Sequence, residues 1–99
     1  MTYKEQYAWL TDRGFIDTDI CSGNSILWRK ALGNLYINLF WSQLLYKYWR
    51  LSIRHIDDDY EMGITVADLP DDFDFNQLNG FIDSLSSVVA LNFPLTSSK

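Results

Sequence analysis

Hydrophobic and polar positions along the chain change period several times, and each change marks an element. Near the start, Tyr3, Tyr7 and Leu10 recur at i, i+4 and i+7, the spacing of one helical face. Thr2 and Glu5 stand ahead of them in the T-x-x-E arrangement of a capping box, where each side chain meets an unpaired backbone N–H. Gly14 can take the left-handed conformation that ends a helix, with Phe15 folding back behind it. The pattern predicts a helix over residues 3–13.

The stretch DTDICSGNS is rich in short polar side chains and predicts a loop. After it come two apolar, partly alternating runs, ILWRKAL and LYINLFW, joined by Gly33-Asn34. A two-residue connection with glycine first suits the twist of a tight hairpin. On the second run Leu35, Ile37, Leu39 and Trp41 share one face, with Tyr36, Asn38 and Phe40 opposite.

The run YKYWRLSIRH predicts a third strand, with Trp49, Leu51 and Ile53 on one side and Tyr48, Arg50, Ser52 and Arg54 on the other. A helix over residues 35–50 would be apolar all round instead of carrying one stripe, and is disfavoured. Asp57-Asp58-Asp59 makes a polar turn. Met62, Ile64 and Val66 then alternate with Gly63, Thr65 and Ala67, a fourth strand that Pro70 ends because it cannot donate to a ladder.

The last element has Asp74 as cap, Gln77 three residues on, and Phe73 with Leu78 as a hydrophobic staple. Phe75, Leu78, Ile82, Leu85 and Val89 follow at 3, 4, 3 and 4 spacing, one continuous helical stripe. Asn92 and Pro94 supply a stop, and residues 95–99 read as a frayed tail. The expected fold is α+β: a helix, a four-stranded antiparallel meander, then a long C-terminal helix covering one sheet face. Ninety-nine residues predict a single domain.

Composition sharpens this picture. Aromatic residues are 16% of the chain, more than a small core needs when each buries about 150–250 Å². The surplus points to a binding surface. Cys21 is the single cysteine, which excludes an internal disulfide framework and fits a reducing compartment. The N-terminal MTYKEQYAWLTDRG lacks the layout of a signal peptide. No apolar run reaches the roughly 18 residues of a membrane span, so a cytoplasmic protein with no membrane partner is expected.

Net charge is −5, and its distribution is uneven. Between Ile20 and Ile56 there is no acidic residue, while Arg29, Lys30, Lys47, Arg50 and Arg54 fall there. From Asp57 to Asp83 there is no Lys or Arg. Such segregation can steer a domain toward a charged partner.

Enzyme motifs are missing: no glycine-rich phosphate loop, no G-x-S-x-G, no HExxH and no CxxC. His55 is the only histidine. Ser52, His55 and Asp57 make a triad only on paper, since triads depend on geometry. The Asp57–Glu61 cluster lacks the D-x-D-x-D-G spacing of a calcium loop. Neither a metal nor a cofactor is expected, and no enzymatic activity.

The residues therefore suggest a small acidic protein-binding domain, an inhibitor of a nucleic-acid-handling or toxin-like enzyme of the phage anti-defence, anti-CRISPR or immunity type. Tyr and Arg are enriched at interface hot spots, which nominates Leu44, Leu45, Tyr46, Tyr48, Trp49, Arg50 and Arg54 as partner-binding residues. Asp57, Asp58, Asp59, Glu61, Asp68, Asp71, Asp72 and Asp74 would form an acidic rim that mimics phosphates or steers docking. Two alternatives remain. One is a single-stranded nucleic-acid binder using Tyr46, Tyr48, Arg50 and Arg54, joined by Arg29 and Lys30. The other is a homodimeric acidic chaperone or adaptor.

Overall fold

In the computed structural model, residues 1–18, 25–42, 48–59 and 63–92 are described, the last three by backbone alone. Helix α1 spans Tyr3–Asp12, and strands β1 to β5 span Ile16–Asp17, Ser25–Leu32, Leu35–Ser42, Tyr48–His55 and Ile64–Pro70. A 3-10 turn, Phe75–Leu78, leads into helix α2, Asn79–Asn92. The strands form one antiparallel sheet in the order β1-β2-β3-β4-β5.

Local chemistry explains most boundaries. The capping box forms at α1, with the Glu5 amide donating to Thr2 Oγ1 at 3.2 Å and the Thr2 amide donating to Glu5 Oε1 at 2.8 Å. These bonds occupy amide groups that a helix start otherwise leaves unpaired. Gly14 adopts a φ of 82°, and the Phe15 amide returns to the Leu10 carbonyl at 2.9 Å, burying the Phe15 ring. At the β2–β3 turn Gly33 has a φ of 56°. A Cβ there would lie 2.6 Å from Val89 Cγ1, so the turn and the close approach of α2 both require glycine.

The strand count exceeds the expected four. Asp17 opens the stretch where a loop is predicted and Ile16 belongs to no predicted element, yet Ile16 pairs with Arg29 and Asp17 with Trp28. Two residues carry no readable alternation. Reversal at Gly14 brings them alongside β2, and the Thr18 amide extends the pairing to the Leu27 carbonyl at 3.0 Å.

The long C-terminal helix is also not one continuous α-helix. Asp74 caps as expected, accepting from the Asn76 amide at 3.0 Å, but it caps the 3-10 turn. That turn aims Phe75 and Leu78 into the core before α2 begins. Phe75, Leu78, Ile82 and Leu85 still join one cluster, so the stripe is real although its geometry changes midway.

Both helices cover the same side of the sheet. Trp9 and Leu10 from α1 meet Phe75, Leu78 and Ile82 over Trp28, Ile37, Leu39, Trp49, Leu51 and Leu69. Ring contacts run through the centre, with Phe75 edge-on to both Trp9 and Trp49 at 5.4 Å. Gln6 is the polar member of this interior. Its Nε2 donates to the carbonyls of Asp71 and Phe73 at 2.9 and 3.2 Å, and Trp49 Nε1 donates to its Oε1 at 3.3 Å. One side chain thereby ties α1 to β4 and to the segment after β5.

Strand β5 departs from the expected face assignment. Its register against β4 shifts between Leu51 and Ser52, leaving Val66 as an extra residue between Thr65 and Ala67. Such a bulge reverses the alternation beyond it. Ala67 and Leu69 face the helices, whereas Ile64 and Val66 are 75% and 45% exposed. Met62, Pro94 and the tail 95–99 lie outside the described residues.

Candidate interaction surface

The face of the sheet opposite the helices includes three cross-strand rows, with Ser42 and Tyr48 one step beyond the first of them. Register places Leu27, Phe40, Arg50 and Asp68 in one row, Arg29, Asn38, Ser52 and Thr65 in the next, and Ala31, Tyr36 and Arg54 in the third. Asn38, Ser42 and Ser52 are almost completely buried there. Arg29, Tyr36, Tyr48, Arg50 and Arg54 are half-buried. Long side chains lie over small polar ones, which lets guanidinium heads reach water while their stems cover the sheet.

Each guanidinium is positioned. Arg29 Nε donates to Asn38 Oδ1 at 2.8 Å, and its Cζ sits 4.6 Å from the Tyr36 ring centroid. Arg54 approaches the same ring at 5.5 Å and donates from Nε and Nη2 to the Asp58 carbonyl at 3.1 and 2.6 Å. Arg50 donates to Asp68 Oδ1 at 2.9 Å and Oδ2 at 3.5 Å, and lies 5.9 Å from the Tyr48 ring. One tyrosine thus faces two cations, and a second accompanies an ion pair.

Of the sequence-predicted anchors, Tyr48, Arg50 and Arg54 share this outer face. Trp49 does not. It is 2% exposed, with its indole among the core rings, because strand parity turns it toward the helices. Leu44, Leu45, Tyr46 and Lys47 lie outside the described residues, as does Glu61. Arg29 belongs to the surface, but Lys30 points to the helix side, where Nζ donates to the Arg13 carbonyl at 2.6 Å. A cation at the end of α1 meets the negative end of that helix.

The acidic residues divide into two groups. Asp57, Asp58 and Asp59 are exposed in the turn after β4, at one end of β5. Asp68, Asp71, Asp72 and Asp74 gather at the other end, with Asp68 engaged by Arg50 and Asp74 capping. The seven residues of β5 put about 20 Å between the Asp57, Asp58 and Asp59 group and Asp71, Asp72 and Asp74, with Asp68 inside the strand. Among the described residues, no three His, Cys, Asp or Glu side chains converge on a metal position.

His55 is exposed, and its Nδ1 accepts from the Asp57 amide at 3.1 Å. Ser52 Oγ is buried without a hydrogen-bond partner. The triad written from the sequence is therefore not assembled.

The titrations of Glu5 and Tyr3 are displaced. The Glu5 carboxyl is held below its ordinary range by hydrogen bonds to Thr2. The Tyr3 hydroxyl is raised by burial first and by the negative charge of Asp71 second.

Tyr36 was missed as the centre of the cation stack, although a signal existed. A two-residue turn at Gly33-Asn34 pairs Leu32 with Leu35, and therefore Arg29 with Asn38 and Ala31 with Tyr36. The ring then lies diagonal to Arg29, within reach of a long side chain. No described helix is long and apolar enough to cross a membrane. Comparison with models of known families, with curated proteins and with solved structures returned no match.

Proposed function

We propose that the chain is a small acidic protein-binding domain without a catalytic step of its own. In this reading it inhibits a nucleic-acid-handling or toxin-like enzyme by docking through the outer face of β3 and β4. The observation that carries the reading is the half-exposed set Tyr36, Tyr48, Arg50 and Arg54, held by internal hydrogen bonds and ring contacts on central strands. Aromatic and arginine side chains dominate interface hot spots. Groups already fixed before contact lose less entropy on binding. The carboxylates at both ends of β5 add a field that favours a cationic groove, the kind that normally receives phosphates.

The test is capture by the immobilised protein from native host lysate, repeated with the Tyr48→Ala/Arg50→Ala variant and followed by elution with duplex DNA. An enzyme retained by the wild type, lost by the variant and released by DNA is the expected result. Equal retention by both proteins would remove the outer face from consideration.

The Arg29–Tyr36–Arg54 stack favours a second reading, a single-stranded nucleic-acid binder, since rings and guanidinium planes both stack on bases. Filter binding of an oligonucleotide at two salt concentrations separates the two. Phosphate-dependent affinity must fall as salt rises, and no retention at low salt eliminates this alternative.

A further inference from the structure

The last strand of the sheet is unlike the others. Among the described residues, strand β5 pairs with β4 on one side only and is the terminal strand in the sheet order. Five of its seven residues are exposed, Ile64, Thr65, Val66, Asp68 and Pro70. At the opposite margin β1 has only two residues, too few to template another strand. An open edge presents a row of backbone N–H and C=O groups that can pair with another chain.

We infer that the β5 edge is a strand-addition site for an extended, basic segment of a partner protein, which would join the sheet as its sixth strand. Main-chain hydrogen bonds to alternate residues of β5 would give affinity, and exposed Ile64 and Val66 would contact apolar side chains of the added strand.

Charge selects the occupant. The edge begins after Asp57, Asp58 and Asp59 and ends before Asp71 and Asp72, with no Lys or Arg between Asp57 and Asp83; Asp68 within it is already paired with Arg50. A strand bearing Lys or Arg at its ends meets opposite charge at both ends of β5. A second copy of this chain would set the same carboxylates against each other, and like charges directly opposite destabilise a pair. The carboxylates that guard the edge against self-pairing are therefore those that welcome a cationic strand. The bulge at Val66 adds a steric requirement, because the incoming strand must accommodate a local kink there.

The inference shares with the proposed function the premise of protein binding and the carboxylates at the two ends of β5, but its docking surface is the strand edge instead of the outer face. The probe is a synthetic peptide of about eight residues, a common strand length, alternating Val and Lys with blocked ends. It is titrated into the isotope-labelled full chain. Amide shifts and slowed hydrogen exchange at residues 64–68 are expected. Affinity should fall about tenfold, equivalent to roughly 1.4 kcal/mol, in Ile64→Lys/Val66→Lys, a variant whose far-UV circular dichroism stays unchanged. It should fall similarly for one of two peptides N-methylated on alternate residues.

Equal affinity for both N-methylated peptides would reduce the interaction to charge attraction and overturn the inference. So would an absence of peptide-dependent protection, or peptide-free self-association that protects the same amides. The Tyr48→Ala/Arg50→Ala variant should bind the peptide normally. If it alone loses binding, the outer face takes the segment and strand addition is wrong.

Discussion

The two faces of the sheet reach similar burial with different chemistry. On the helix side, Trp28, Ile37, Leu39, Trp49 and Leu51 meet the rings and aliphatic groups of α1, the 3-10 turn and α2. Water is excluded there by apolar contact, and among the described residues Gln6 is the one buried polar side chain on that side. On the outer side, Asn38, Ser42 and Ser52 are equally hidden, and they share the face with buried Leu27 and Phe40 and with arginines and tyrosines that still reach solvent. The first face derives its stability from burial of area. The second depends on geometry, because a buried polar group costs more than it contributes unless its hydrogen bonds are kept.

This difference is breakable by mutation, and the largest effect belongs to the helix side. Phe75→Ala removes a fully buried ring between Trp9 and Trp49 and should cost about 3–5 kcal/mol in urea denaturation. A loss below about 0.5 kcal/mol, the range of surface changes, would mean that this interior is not the main source of stability.

On the outer side, Asn38→Ala withdraws the acceptor that holds Arg29 and should cost about 1–3 kcal/mol. Tyr36→Ala removes the ring beneath Arg29 and Arg54. At about 0.5–1 kcal/mol for each of its two exposed cation–π contacts, it should cost about 1–2 kcal/mol, within the lower part of the range for Asn38→Ala. Should Tyr36→Ala destabilise as much as Phe75→Ala, the two faces would not differ in kind.

The smallest effect lies outside both faces and sharpens the comparison as a reference. The Glu5 carboxyl titrates below its ordinary value of 4.5 because Thr2 stabilises the charged form. Its contribution is complete above that value and lost as pH falls through the lower, folded-state value. The difference in urea midpoint between wild type and Glu5→Ala should accordingly shrink on acidification below pH 4.5. A constant difference would show that Glu5 acts by packing and not by charge.

Much of this arrangement could be read from the residues, and the reasons for the gaps are physical. The capping box, the Gly14 terminator, the hairpin at Gly33-Asn34 and the cap at Asp74 are local devices, each decided by a few neighbouring residues. The alternation of Tyr48, Arg50 and Arg54 against Trp49 and Leu51 was legible for the same reason. What the pattern did not reveal depends on partners distant in sequence. Residues 16 and 17 become a strand only because β2 lies beside them. Gln6 is polar in a helix, so no periodicity marks it as buried until its three distant partners are known. Trp49 looked like an anchor because aromatic type was weighed ahead of strand parity. The bulge misled most, since Ile64 and Val66 fit a strict alternation that the chain abandons one residue later.

The bulge has one more consequence, for tracing ancestry. Every pair along β4 and β5 would survive removal of Val66, because Thr65 and Ala67 already have their own opposite numbers. The sheet thus contains one position where a missing amino acid closes the ladder instead of breaking it. An alignment with distant kin should permit a single-residue gap there while forbidding gaps in β2 or β3, where the same deletion would turn every following side chain to the wrong face.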